Sequence, residues 1–153
     1  MRNIAVIGTG YVGLVSGTCF SHIGNKVTCC DIDEQKIEGL KKGIIPIYEP
    51  GLEELVKANV AEGRLDFTTN IAQAVQEAEI IYIAVGTPMS PTGEADLKYV
   101  VAAAQTIGEH LNGYKVIVYK STVPVGTGRL VERIVREHLK DPTLEFDVVS
   151  NPE

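Results

Sequence analysis

The residues best suited to chemistry stand near the start of the chain. Gly8-Thr9-Gly10-Tyr11-Val12-Gly13 has the spacing G-x-G-x-x-G, which alone is a weak signal because glycines gather in many turns. Its surroundings sharpen it. An apolar run over 3–7 precedes the turn, helical periodicity follows it, a second apolar run covers 26–30, and Asp31 closes that run. This is the order in which a strand, a phosphate-binding turn, a helix and a ribose-reading acid succeed one another in dinucleotide-binding domains. Gly8 would permit the tight turn, Gly10 would let the backbone approach a pyrophosphate, and Gly13 would let the helix pack close to the strand. The amides around Tyr11 and Val12 would then meet an anion at the positive end of a helix, with no lysine required.

Asp31 can accept hydrogen bonds from the two hydroxyls of an adenosine ribose, whereas its charge would oppose a 2′-phosphate. NAD is therefore expected over NADP. Asp33 and Glu34 add negative charge, and no arginine stands at 32 or 33 to accommodate the extra phosphate. Lys36 is the nearby cation, and periodicity reads it equally well as a solvated helix residue.

In an open α/β sheet, ligands lie beyond the carboxyl ends of the strands. The residues there are polar: Gly86-Thr87-Pro88 after the fourth apolar run, Lys120-Ser121-Thr122-Val123-Pro124 after the fifth, and Ser150-Asn151-Pro152-Glu153 after the sixth. Ser121 and Ser150 read as turn or cap residues. Thr122 and Glu153 are the stronger candidates. The segment 47–52, Ile-Tyr-Glu-Pro-Gly-Leu, announces a turn and a helix start and is given no chemical role.

The elements that must position these residues follow from apolar periodicity. Strands are expected at 3–7, 26–30, 65–68, 80–85, 116–119 and 146–149, with 80–85 apolar on both faces and hence central, and 65–68 at an edge. Helices are expected from Val12 to Ile23, stopped by Gly24-Asn25, and then at 34–42, 52–61, 71–77, 97–111 and 126–138. Val12, Val15, Cys19, Phe20 and Ile23 fall on one face of the first helix, so Cys19 is expected inside. The alternation predicts one Rossmann-type α/β domain, a doubly wound parallel sheet.

Composition narrows the function further. The 153 residues are 44% hydrophobic and 22% charged, enough for one sizeable core. A net charge of -6 with a pI near 5.1 argues against nucleic acid and anionic membranes as partners. The longest apolar stretch, 80–85, is far below the roughly 20 residues of a membrane span, and no secretory h-region follows Met1, so a cytoplasmic location is expected. Cys19, Cys29 and Cys30 form no C-x-x-C pair and have no base nearby, and they read as packing residues. His22, His110 and His138 lie in or at the ends of helices and suggest neither metal binding nor a catalytic relay.

Five ordered motifs give the chain a family likeness: 3–13, the Pro-Ile-Tyr-Glu-Pro-Gly-Leu run at 46–52, Val-Gly-Thr-Pro at 85–88, Ser-Thr-Val-Pro-Val-Gly at 121–126 and Ser-Asn-Pro-Glu at 150–153. With these it resembles the UDP-glucose/GDP-mannose dehydrogenase family of nucleotide-sugar dehydrogenases along its whole length. The resemblance implies oxidation of the C6 alcohol of UDP-glucose to UDP-glucuronate in two hydride transfers, with two NAD and a cysteine thiohemiacetal and thioester. It also implies that Gly8, Gly10, Tyr11, Val12, Gly13, Asp31, Lys36, Thr87 and Thr122 contact NAD. Thr122 would help hold a catalytic water, and Glu153 would open the loop that holds the sugar.

The family's cysteine nucleophile, lysine and acid/base aspartate match no residue of this chain. Residues 1–153 are accordingly expected to be the NAD-binding half of an enzyme, without its central dimerisation helix and UDP-sugar domain. Such a half would bind NAD without catalysing, in a protein that is a homodimer at full length. Two other readings stay open: a stand-alone NAD(H)-sensing module, and a dehydrogenase of another substrate, whether GDP-mannose, a UDP-N-acetylhexosamine or a hydroxy acid.

Overall fold

The computed structural model describes residues 1–88, 91–93, 96–120 and 126–151. Six short runs, four of them rich in Val and Ile, residues that suit a pleated buried surface, form β1 (Asn3–Ile7), β2 (Lys26–Cys30), β3 (Leu65–Thr68), β4 (Ile80–Ile83), β5 (Lys115–Tyr119) and β6 (Phe146–Ser150). All pair in parallel, in the order β3-β2-β1-β4-β5-β6. The fourth run is central and β3 lies at an edge, as its composition predicts. The order reverses between β1 and β4, and a cleft opens at such a switch point.

Helices α1 (Tyr11–His22), α2 (Glu34–Lys41) and α3 (Leu52–Ala61) connect the strands of one half, and α4 (Ile71–Glu77), α5 (Lys98–His110) and α6 (Thr127–Glu137) those of the other. Alternate strand residues feed two cores. Ile4 and Val6 pack with Leu14, Ile37 and Val56 on one face, and Ala5 and Ile7 with Val75, Ala104 and Val131 on the other. Cys29 and Cys30 accordingly point to opposite faces. Asp33 caps α2 by accepting from the amides of Gln35 and Lys36, and Asn70 caps α4 through the amide of Gln73.

The first helix departs from expectation. Its buried residues are Gly13, Leu14, Gly17, Thr18 and Ser21, while Cys19 and Ile23 are exposed and Val12, Val15 and Phe20 are only partly buried. The cause is close approach. A Cβ on Gly13 would sit 1.9 Å from the Gly8 carbonyl oxygen, and one on Gly17 would sit 2.6 Å from Cys29 Sγ. The helix turns Gly13, Gly17, Thr18 and Ser21 to the sheet together with Leu14, and Val12, Val15 and Phe20 are displaced to the flanks. Differences elsewhere are at element ends: the fourth strand stops at Ile83 rather than 85, the fifth begins at Lys115, and Ser150 is the last residue of β6 rather than the first beyond it.

Candidate functional site

The cleft is built around the turn after β1. Gly8 has φ +109°, a conformation that strains any residue with a side chain, and a Cβ there would meet the Ala84 carbonyl oxygen at 2.6 Å. Its amide donates to the Cys30 carbonyl at 2.8 Å, which fixes the turn to the end of β2. Gly10 is the N-cap of α1 and offers no side-chain acceptor to the first-turn amides. Nothing lies within 4 Å of where its Cβ would be, and the residue is exposed. A ligand can therefore reach this backbone directly, at the end of the helix where an anion is favoured.

Asp31 stands at the other side of the turn and is tied into it. Oδ2 accepts from the Thr9 amide at 3.0 Å and the Thr9 hydroxyl at 2.7 Å, and Oδ1 accepts from the Asp33 amide at 3.0 Å. Burial pushes the acidity of Asp31 down, but the Thr9 hydroxyl, the two amides and the charge of Lys36 outweigh it and hold the carboxyl below its usual range. The group is an anion at neutral pH. Lys36 lies on the same wall of the cleft, on the first turn of α2.

Between these features runs a cavity of about 360 Å³. Gly8, Gly10, Asp31, Ile32, Asp33 and Lys36 line one side, with Ile7, Ala84, Val85 and Gly86 at the strand ends and Ile71 at the start of α4. Tyr99, Ala102, Ala103 and Thr106 of α5 close the other side. The walls are mostly apolar, with a few charged and polar groups at one edge, a lining suited to a flat aromatic ring joined to a polar tail. The α5 residues were not legible as a site, although their i, i+3, i+4, i+7 spacing puts them on one helical face. Ile32 carried a signal too, as a large apolar residue between two aspartates that is 75% exposed.

The other candidates fall as follows. The Tyr11 hydroxyl donates to Glu49 Oε2 at 2.8 Å, so the segment 45–51 is joined to the start of α1. That gives Glu49 a structural task that its sequence context did not suggest. Val12 is partly buried beside the core, Gly13 is buried against Gly8, and Thr87 is partly buried in the loop after β4. Thr122 and Glu153, like Ser121, lie outside the described residues. Lys120 is buried at the end of β5, its amide bonded to the Ile83 carbonyl, and the Asn151 amide bonds the Tyr119 carbonyl, so the described part of this rim is continuous.

None of the cysteines is placed for chemistry. Burial pushes the Cys29 thiol far up, and burial with the nearby Asp31 charge raises Cys30 to about 12, so both stay protonated at neutral pH. Cys19 is exposed on α1. His22 ends α1, His110 ends α5, and His138 caps α6 with Nδ1 2.8 Å from the Ile134 carbonyl oxygen. Among the described residues no group of three His, Cys, Asp or Glu could hold a metal, and no helix is long and apolar enough to cross a membrane.

A parallel sheet with a bare glycine turn at its switch point and an ionised acid at the end of the next strand defines a dinucleotide-binding domain of the Rossmann type. Residues 2–153 match the NAD-binding domain of the UDP-glucose/GDP-mannose dehydrogenase family, and the chain belongs to that family. It is 71% identical over 153 residues to UDP-glucose 6-dehydrogenase TuaD of Bacillus subtilis, covering 100% of this chain and 33% of that protein. It is 57% identical over 151 residues to the UDP-glucose 6-dehydrogenase of Rhizobium meliloti, covering 98% and 34%. A UDP-glucose dehydrogenase from the archaeon Pyrobaculum islandicum superposes with a TM-score of 0.95 at 41% identity, over 100% of this chain and 36% of that one. A ternary complex of GDP-mannose dehydrogenase from Pseudomonas aeruginosa gives 0.93 at 34%, over 99% and 36%. The chain thus spans about a third of the length of the curated relatives it matches.

Proposed function

We propose that this chain is the NAD-binding part of a UDP-glucose 6-dehydrogenase, an enzyme that oxidises the C6 alcohol of UDP-glucose to a carboxylate with two NAD. The observation that carries the cofactor assignment is the pairing of an unobstructed Gly10 backbone with an ionised Asp31 across one apolar cleft. In this reading the pyrophosphate lies over the amides at the start of α1, the adenosine ribose meets Asp31, and the adenine ring enters between Ile32 and the Tyr99 face of α5. Gly8 and Gly13 hold the turn and helix in place. Tyr11, Val12, Lys36, Thr87 and Thr122 complete the cofactor contacts, Thr122 also holds a water, and Glu153 acts at the sugar loop. Bound NAD supplies the hydride acceptor.

The choice of UDP-glucose is supported by the 71% identity to TuaD and the 57% identity to the Rhizobium meliloti enzyme, each a UDP-glucose 6-dehydrogenase. The nucleophilic cysteine, the UDP-sugar domain and a homodimer interface belong, in this proposal, to the two-thirds of the relatives that these 153 residues do not match. A cytoplasmic location fits the three free cysteines.

The test is to follow NADH formation with excess NAD and either UDP-glucose, GDP-mannose or a UDP-N-acetylhexosamine. The 153-residue chain is compared with a protein that also carries the family's remaining domains. NADH should accumulate with UDP-glucose and the longer protein alone. Turnover by the 153-residue chain that is lost in Cys29→Ser or Cys30→Ser would refute this placement of the chemistry, and preference for another sugar would refute the substrate.

A further inference from the structure

Thr9 is the first variable residue of the glycine turn, and its type is not demanded by the turn itself. Yet it is 1% exposed, and its hydroxyl and amide both donate to the same oxygen of Asp31. A carboxylate has about four acceptor sites, two on each oxygen. Thr9 fills both sites of Oδ2, and the Asp33 amide fills one of Oδ1. One site remains, on Oδ1.

We propose that Thr9 is a positioning residue that determines cofactor specificity: its buried hydroxyl locks the Asp31 carboxylate in one orientation, with an acceptor site of Oδ1 left for the ribose. The inference rests on the reading of Asp31 as the ribose acceptor and deepens it. A fixed carboxylate has already lost its rotational freedom before the cofactor arrives, so little further ordering is required on binding. The same lock keeps the full negative charge in the one place where a 2′-phosphate would enter, and a carboxylate free to turn could move that charge aside. Donation by the hydroxyl also favours the ionised form. Thr9 therefore acts on orientation and charge together, without touching the cofactor.

Thr9→Val keeps the shape and removes the hydroxyl, and Thr9→Ser keeps the hydroxyl. In calorimetric titrations of the 153-residue chain, Thr9→Val should weaken NAD binding about five- to tenfold, less than the loss of a direct hydrogen bond to a charged group because Thr9 acts only through Asp31. NADP binding should change less, so discrimination between the two cofactors narrows. Thr9→Ser should restore both. The Asp31 carboxyl carbon, followed by NMR, should titrate at higher pH in Thr9→Val than in the parent chain, a change that mere loosening of packing would not produce. On an Asp31→Ala background, Thr9→Val should have no further effect, because the residue acts only through that carboxylate.

Melting curves establish that each variant folds, and Thr9→Ala carries the same expectation should the valine variant fail. If Asp31→Ala weakens NAD binding but Thr9→Val changes neither affinity nor discrimination, the role of Thr9 is overturned and the ribose assignment stands. An equal loss from Thr9→Val on both backgrounds also overturns it. If Asp31→Ala itself leaves NAD binding unchanged, the ribose assignment fails and this inference fails with it.

Discussion

At the amino ends of the strands, the ammonium of Lys115 is buried and donates to the carbonyls of Gln76, at 3.0 Å, and Ala78, which lie at the end of α4. Glu79 beside it accepts from the Asn3 amide at 2.9 Å and from Arg2 at 3.1 Å. These charged groups meet partners within the chain, and a cation at a helix C-terminus is favoured besides. At the carboxyl ends the arrangement is different. The first turn of α1 has no side-chain cap, Gly10 faces open space, and Asp31 retains an acceptor site after three hydrogen bonds. One rim is completed by the chain itself, and the other is left with bonding capacity that a ligand can use. The contrast explains why two ends of the same sheet can separate stability from binding.

The strongest way to break this comparison is to block the open rim. Gly10→Val should abolish measurable NADH binding while leaving the circular dichroism spectrum and melting temperature nearly unchanged, since a Cβ at this position has nothing within 4 Å of it. Gly13→Val is the converse: its Cβ would lie 1.9 Å from a backbone oxygen, so it should destabilise the fold by upwards of about 1–3 kcal/mol, the usual range for overpacking. Binding by the first variant would show that the cofactor does not cross the turn.

Next in size is Asp31→Ala, expected to weaken NAD binding by about 1.5–3 kcal/mol, the value of hydrogen bonding to a charged group. NADP should lose less, and parallel titrations would show the two affinities converging. The amino rim should give the opposite pattern. Lys115→Met removes the donor from two carbonyls near the end of α4 and should cost about 1–3 kcal/mol in denaturant unfolding, with the dissociation constant for NADH unchanged. A change in NADH affinity there would mean that the two rims are coupled.

The contrast also bears on what could be read in the sequence. The runs 26–30 and 65–68 give their strands residue for residue, because side chains that alternate between two faces leave a period-two trace, with Leu65 and Phe67 buried and Asp66 exposed between them. Gly8, Gly10 and Asp31 were legible as a site because their functions depend on the absence of a side chain or on a charge. The inner face of α1 was not. It is chosen by how closely Gly13 and Gly17 let the helix approach the sheet, and that approach overrides the apolar periodicity of Val12, Val15 and Cys19. Tyr99, Ala102, Ala103 and Thr106 look like ordinary helix residues until β4 and β5 bring them over the cleft. The Tyr11–Glu49 bond joins residues 38 positions apart and has no local signature.

The smallest effect should come from acid. Asp31 titrates below its ordinary value when folded, so above the unfolded value, about 3.9, its bonds to Thr9 and Asp33 contribute their full stabilisation. As the pH falls through the folded value, the proton binds and that contribution disappears, because between the two values the unfolded chain holds more protons than the folded one. Glu79 and Asp141 are shifted in the same direction, so total stability will fall on acidification whatever Asp31 does. The informative quantity is therefore the difference between the parent chain and Asp31→Asn. In urea titrations it should stay constant from neutral pH down to about 4 and shrink below that, and only modestly, since Asp31 is partly solvated and its interactions are screened. Lys115 does not enter this window. Burial lowers its titration on the alkaline side, and in acid it is protonated in both states. A difference that instead grew on acidification would mean that Asp31 is held by its neutral form, and the open rim would then lack the fixed anion that distinguishes it from the closed one.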